Sequence, residues 1–163
     1  MDTIAPTELP QPKHVRDLLL ELLGRDVDVT VGDAWSPLPK DMAAAAEFVD
    51  DRYGLRAVAL LDLPLAVYCG AAIGLLPPAG AQDMVAERMP TSMVEENLYE
   101  VLNIMASLFN TDAGAHVKIA AMQPPGADLP ADIAQLVRRL TGRLDLNVSI
   151  DGYGAGRLAL LLA

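Results

Sequence analysis

The segment from Ser92 to Asn110 constrains the fold most, because it reads as a helix with two opposite faces. At about 100° per residue, one side of this helix is apolar over its whole length. The residues on that side are Val94, Leu98, Val101, Leu102, Met105, Leu108 and Phe109. Ser92 is followed three residues later by Glu95, the spacing of a capping box, which predicts a helix start here. A face this broad requires a sheet or a helix layer to cover it.

The rest of the chain alternates between strand and helix patterns. We predict helices over residues 13–23, with Gly24 as the stop, and over 81–88, and a short amphipathic segment over 133–141. Strands are predicted over 26–31, 56–61, 65–76, 117–122, 144–150 and 157–162, with a tight turn at 62–64. Residues 40–52 read as a short helix or an ordered loop, and 124–130 as a loop. This order predicts an α+β fold with a mostly antiparallel sheet packed against two long helices.

A faint internal similarity links residues 18–31 to residues 136–150. Each segment reads as a helix, then Gly-Arg, then an alternating strand, which favours two halves related by a pseudo-twofold axis. A chain of 163 residues with 52% hydrophobic residues fits a single domain. We assign the domain to residues 13–163 and read the polar, proline-rich residues 1–12 as a flexible lead.

Composition excludes several classes of function. With 22 acidic and 12 basic residues, the net charge is -10, which disfavours nucleic-acid and anionic membrane partners. The apolar run at 63–76 spans about 14 residues, fewer than the roughly 20 that cross a bilayer. No signal peptide is recognisable, so we expect a cytoplasmic protein. The single Cys69 excludes an internal disulfide, its apolar neighbours predict a buried thiol, and two histidines, His14 and His116, make a multi-histidine metal site improbable.

The polar side of the 92–110 helix carries an unusual set of residues, here called the polar stripe. It consists of Glu96, Glu100, Asn103, Ser107 and Asn110. The stripe lacks lysine and arginine, whereas a solvated helix commonly intersperses both signs of charge. One interpretation is a solvent face of an acidic protein. The other is that Glu100 and Asn103, one turn apart, reach together into the active site of a partner.

The segment from Glu96 to Met105 resembles the E-x-x-N helix of the CheC/CheX/FliY phosphatases of bacterial chemotaxis, which dephosphorylate the response regulator CheY. An apolar segment at 67–76, two prolines and a short helix precede the motif, as in that family. Downstream, residues 140–143, an alternating strand and a terminal apolar strand follow the same order. The resemblance spans residues 13–163, and its chemically specific motif is Glu100-x-x-Asn103.

The resemblance implies a role for each residue of the stripe. Asn103 would orient the attacking water at the aspartyl phosphate of a receiver domain, and Glu100 would pair with the receiver's lysine. Glu96, Ser107 and Asn110 would contact this CheY-like partner. The receiver would contribute Mg²⁺, so the chain needs no metal or cofactor of its own.

The sequence also departs from the family pattern. CheC-type members often carry a second motif on the first helix, where this chain has Glu21-x-x-Gly24, leaving one site as in CheX-type proteins. Ser107 stands where CheX-type motifs have glycine, and Leu108 stands where many CheC-type motifs have proline. A non-catalytic binding module, comparable to the middle domain of the flagellar switch protein FliM, is therefore the alternative function.

Three further expectations concern other parts of the chain. The resemblance implies a homodimer, because CheX-type members pair edge strands across a twofold axis, and the apolar strand 158–162 would serve as that edge. The glycine run at Gly152, Gly154 and Gly156 is read as a hairpin turn, because a phosphate-binding loop would open a helix instead. Trp35 anchors either a loop or an interface.

Overall fold

In the computed structural model, which describes residues 6–163, one six-stranded antiparallel sheet forms the centre of the fold. The strands are β1 (Val27–Val31), β2 (Ala44–Val49), β3 (Leu55–Leu61), β4 (Lys118–Gln123), β5 (Arg143–Ile150) and β6 (Gly154–Leu162). The α-helices are α1 (Pro12–Leu23), α2 (Leu63–Ile73), α3 (Pro78–Glu87), α4 (Ser92–Met105) and α5 (Ala131–Val137). The strand order is β1-β5-β6-β3-β2-β4. The predicted α+β class is confirmed.

The two faces of the sheet are covered unequally. On one face, α1, α2 and α4 bury a large apolar cluster that includes Leu19, Leu98 and Leu102. On the other face, α5 and Trp35 cover a smaller cluster. Alternate residues of the central strands enter the two clusters, as the pleat of a strand requires. The larger face thus carries α1, α2 and α4, with α3 also packed at the cluster through Ala81, instead of the two long helices expected.

The prediction of a strand over residues 65–76 is wrong, since this segment forms helix α2. The carboxylate of Asp62 caps the helix by accepting a hydrogen bond from the Leu65 amide at 3.1 Å, and Pro64 occupies the first turn. A run of nearly uniform hydrophobicity is ambiguous between strand and buried helix, because burial on all sides removes the amphipathic period. The residue pattern Asp62-Leu-Pro64 is a helix start that we read as a turn.

The prediction for residues 40–52 is also wrong. A short 3₁₀ turn, Pro39–Asp41, leads into strand β2, which pairs with β3 on one side and β4 on the other. Alanine weakly disfavours strands, but a central place in a sheet overrides this preference. The side chains of Ala44 and Ala46 enter the larger cluster, and Ala45 enters the smaller one.

The final strand does not lie at an edge, which corrects the expected route to a homodimer. β6 is hydrogen-bonded to β5 on one side and to β3 on the other. Within the described part of the chain, the open edges of the sheet belong to β1 and β4. The turn between β5 and β6 contains Gly152 at φ +83°, and the strands pair from Ile150 and Gly154 onward, as a hairpin does. The glycine run is thus a hairpin turn, as predicted.

The two segments of the internal similarity end in neighbouring strands. β1 pairs antiparallel with β5, with Val27 opposite Ile150. Their preceding helices lie on opposite faces, because α1 packs in the larger cluster and α5 in the smaller one. The similarity therefore extends to the strand pair and not to the packing of its helices.

Trp35 anchors the loop that follows β1. Of its two expected roles, loop anchor or interface residue, the structure supports the first. It is 5% exposed, and its backbone amide donates to the Asp145 carboxylate at 2.9 Å. Asp145 also forms a salt bridge with Arg143 at 2.7 Å, and Arg143 donates to the Trp35 carbonyl at 2.9 Å. Buried polar groups of this kind are stable only when they are hydrogen-bonded to one another, as they are here.

Of the predicted lead, residues 1–5 lie outside the described residues. In the described remainder, Leu9 packs against the larger cluster. Between residues 6 and 163, none of the helices has both the length and the apolarity that a bilayer crossing requires.

Candidate functional site

Helix α4 carries the polar stripe and is held by its apolar side. Thr91, one residue earlier than expected, caps the helix, its hydroxyl accepting from the Val94 amide at 3.3 Å. The side chains predicted to face inward are buried, except for the half-buried Leu108. They are Val94, Leu98, Val101, Leu102, Met105 and Phe109. This burial confirms the apolar face and leaves the opposite side of α4 to solvent.

A close contact with α2 fixes the rotation of α4. The Asn97 side chain donates to the Gly70 carbonyl at 3.0 Å, bridging the two helices. A Cβ atom at Gly70 would collide with the Val94 carbonyl oxygen, and one at Gly74 would collide with the Asn97 amide. The helices therefore touch where glycine leaves room for the backbone. We did not single out Asn97 from the sequence, although asparagine inside a helix is a sign of such a bond.

The motif residues lie on the exposed side of α4. Glu96, Glu100, Asn103 and Ser107 are all exposed. Glu100 and Asn103 are three residues apart, which places their Cβ atoms about 5–6 Å from each other on a helix. Neither side chain is hydrogen-bonded to any residue of the described range 6–163, so both are available to another molecule.

The lower part of the stripe has local structural roles. Helix α4 ends at Met105 and continues as a 3₁₀ turn over Ala106–Phe109, where the Ser107 hydroxyl donates to the Ile104 carbonyl at 2.8 Å. Asn110 bonds the backbone of Val117 in both directions, donating to its carbonyl at 3.1 Å and accepting from its amide at 2.7 Å. Asn110 thus holds the loop before β4, a role that spacing alone does not reveal.

The first helix carries no second motif. Gly24 lies beyond the end of α1 in the left-handed conformation, at φ +66°, and its amide donates to the Leu20 carbonyl at 3.0 Å. A side chain at this position would leave the helix surface instead of standing one turn above Glu21. The geometry agrees with a single Glu-x-x-Asn site.

Other reactive side chains do not assemble into a site. Cys69 is buried in α2, and burial raises the pKa of its thiol to about 12, which agrees with an inert side chain. His14 accepts a hydrogen bond from the Gln11 amide at the start of α1, and His116 lies 3.8 Å from the exposed carboxylate of Asp51. In the described chain, His, Cys, Asp and Glu side chains form no group of three able to hold a metal ion.

Comparison with solved structures identifies the fold. A chain in the CheX–CheY–BeF3–Mg²⁺ complex from Borrelia burgdorferi matches with a TM-score of 0.55 and 15% identity, covering 90% of each chain. The FliM middle domain from Vibrio alginolyticus matches with a TM-score of 0.56 and 11% identity over 93% of this chain and 88% of that one. CheX from Desulfovibrio desulfuricans matches with a TM-score of 0.51 and 9% identity, covering 93% and 95%.

Neither a protein-family model nor a curated protein matches the sequence. The structural likeness covers nearly the whole chain in each case. The chain therefore has the fold that CheX and the FliM middle domain share, and the resemblance predicted from the sequence is confirmed at the level of the fold.

Proposed function

We propose, from this shared fold and the exposed Glu100–Asn103 pair, that the chain is a phosphatase of a CheY-like receiver domain. The observation that carries the proposal is that both motif side chains are solvent-exposed on a helix whose rotation is fixed by α2. Preorganised groups on a rigid element are what a positioning mechanism requires. A receiver-domain partner also implies a cytoplasmic protein.

The proposed reaction is hydrolysis of an aspartyl phosphate. A water oxygen attacks phosphorus, the bond from phosphorus to the aspartate oxygen breaks, and the electron pair remains on the receiver's carboxylate. The proton of the water leaves with inorganic phosphate or to solvent. The Asn103 carboxamide would accept a hydrogen bond from this water and hold it in line with the breaking bond. Phosphoryl transfer depends mainly on such positioning and on charge neutralisation.

The other residues of the stripe would serve recognition. The Glu100 carboxylate would pair with a lysine beside the phosphorylated aspartate and so fix the receiver's orientation. Glu96 and Ser107 would contact the surrounding surface. Asn110 would contribute through the loop that it holds, because both of its polar groups already bond Val117. The receiver would supply Mg²⁺, and the solved CheX–CheY complex does contain BeF3 and Mg²⁺.

The second candidate is a non-catalytic module that binds a receiver or a flagellar-switch protein. The match to the FliM middle domain supports it, since the same fold there belongs to a switch protein. The intact Glu100-x-x-Asn103 spacing favours the phosphatase. A homodimer stays a prediction, and pairing of edge strands in it would use β1 or β4.

The test is phosphate loss from the complete set of receiver domains of the source organism, each phosphorylated and supplied with Mg²⁺. We expect the wild-type protein to accelerate loss from one receiver, and Asn103→Ala to reduce kcat about 100-fold. Glu100→Gln should mainly raise KM, by about tenfold. Asn147→Ala, which removes an exposed amide on β5, is the matched control and should retain full activity.

One result would contradict the phosphatase, and another would contradict only the role of Asn103. Unaccelerated decay with every receiver, together with measurable binding to one of them, would favour the binding module. Equal acceleration by wild type and Asn103→Ala would show that another group positions the water.

A further inference from the structure

An open groove separates the outer helices α1 and α4 beside the motif. Its volume is about 570 Å³, and it is lined by His14, Asp17, Leu18, Glu21, Leu22 and Ile104. Leu18 and Leu22 are half-buried, and Ile104 is 39% exposed. Ile104 directly follows Asn103, so one wall of the groove begins where the motif ends. An exposed apolar surface beside the motif indicates a binding site for another molecule.

Acidic side chains border the groove on both helices. Asp17 and Glu21 are one turn apart on the α1 side, and Glu100 is one turn before Ile104 on the α4 side. The six lining residues include neither lysine nor arginine. Two cations of α1 lie close to these acids. Lys13 is one turn before Asp17, and Arg16 is 3.1 Å from Asp17, but the Arg16 and Asp17 side chains are about half exposed, so their pair is weak and easily exchanged. The groove thus combines an apolar floor with acidic margins.

We propose that this groove binds an amphipathic helix of the receiver domain, an inference that rests on the proposed function. Apolar side chains one turn apart on that helix would enter between Leu22 and Ile104. Lysine or arginine side chains flanking them would pair with Asp17 and Glu21. A groove between two helices suits a third helix, which buries its apolar stripe there and keeps its charges at the rim. The charge complementarity selects a basic helix.

The position of the groove assigns it to the receiver rather than to a separate protein. A receiver whose phosphorylated aspartate faces Asn103 covers the next residue, Ile104, and with it the wall of the groove. The lining residues do not reach the reacting phosphorus, so the groove supplies binding energy equally before and during the reaction. Loss of such uniform binding raises KM and leaves kcat unchanged.

The experiment compares two groove variants with two matched controls. Glu21→Lys reverses a rim charge, and Asp83→Lys makes the same change on α3. Ile104→Ser removes the apolar wall, and Leu140→Ser removes a leucine that is 82% exposed elsewhere. For each protein, kcat and KM for phosphate loss are measured with the complete set of receivers. The Kd for the same receivers is measured with beryllofluoride, which mimics the phosphoryl group.

We expect each groove variant to raise KM and Kd about fivefold, with kcat unchanged and both controls within twofold of wild type. The Glu21→Lys effect should shrink as salt is raised, because the rim is exposed, while the Ile104→Ser effect should not. Thermal unfolding checks that the variants are folded, and Glu21→Lys, which removes no packed side chain, keeps the test valid if Ile104→Ser unfolds.

Failure of the groove is distinguishable from failure of the phosphatase. If wild type accelerates phosphate loss but the groove variants match their controls, the proposed receiver-binding role of the groove is wrong and the proposed function stands. If phosphate loss is never accelerated but groove variants weaken receiver binding, the groove stands and the phosphatase is wrong. If no receiver of the complete set binds, both are overturned.

Discussion

Helices α1 and α4 lie in the same layer, yet only their inner faces are alike. Toward the sheet, both present fully buried leucines, Leu19 on α1 and Leu102 on α4. Toward solvent, α1 mixes both signs of charge, with Arg16 paired to Asp17 at 3.1 Å. The outer face of α4 holds acids, amides and hydroxyls, and its sequence has no cation at all.

This difference shows that packing determines the residues of the inner faces and leaves those of the outer faces free to vary. The inner faces are dictated by the cluster they fill, since burial of apolar area is the main stabilising term. The outer faces contribute little to stability, so their composition can respond to a partner. The outer face of α4 lacks cations, although cations there would stabilise the helix, and this indicates that its residues serve a partner. The following predictions test the equivalence of the inner faces and the difference of the outer ones.

The largest effect is expected from the inner faces. Leu19→Ala and Leu102→Ala each remove a side chain that is at most 1% exposed, and should lower the free energy of unfolding by about 3 kcal/mol. Urea denaturation followed by circular dichroism measures both. Leu20→Ala, at a position 41% exposed on α1, is the control and should change it by less than about 0.5 kcal/mol. A cost below about 1 kcal/mol for either buried leucine would show that the two helices are not equivalent.

A second prediction concerns the end of α1. Gly24→Asn completes the spacing Glu21-x-x-Asn, and the site has room, since a Cβ atom there meets nothing within 4 Å. Because the residue is left-handed, the substitution should lower the free energy of unfolding by up to about 1 kcal/mol. Combined with Asn103→Ala, it should not restore phosphate loss. Recovery of activity in the double variant would show that α1 can act as a second motif helix.

The smallest effect is expected on the outer face of α4. Glu96→Lys replaces a like-charge pair with Glu100 by an attractive one, and should raise the free energy of unfolding by about 0.3–0.5 kcal/mol. Glu95→Lys is the matched control and should lower it by a similar amount, because Glu95 faces the positive end of the helix dipole. The two variants are compared by thermal unfolding at low salt. If Glu96→Lys destabilises the protein, the stripe serves the fold and not a partner.

The elements predicted correctly from the sequence have one buried side and one exposed side. α1 and α4 have a buried and an exposed side, so their helical period is visible, and β1 alternates for the same reason. The hairpin between β5 and β6 was recognisable from glycines that permit positive φ. Elements buried on all sides lack this contrast, which is why the sequence predicts a strand for α2 and a helix or loop for the alanine-rich β2.

The candidate site divides in the same way. The stripe was recognisable because residues three and four apart share a helix face. The bonds of Asn97 to Gly70 and of Asn110 to Val117 depend on which elements become neighbours, and a single sequence does not report that. The groove between α1 and α4 was missed for the same reason, because its walls come from segments about 80 residues apart in the chain.

Because Cys69 is buried, the reactivity of its thiol reports the unfolding of the protein. Its thiol is buried in helix α2, which packs on the sheet and against α1 and α4, and it is the chain's single cysteine. A thiol-specific reagent can therefore react only when the layer opens, and at low reagent concentration the labelling rate follows the equilibrium population of open molecules. Labelling under native conditions, read by mass, would rank the stability of every variant described above without denaturant or an added probe.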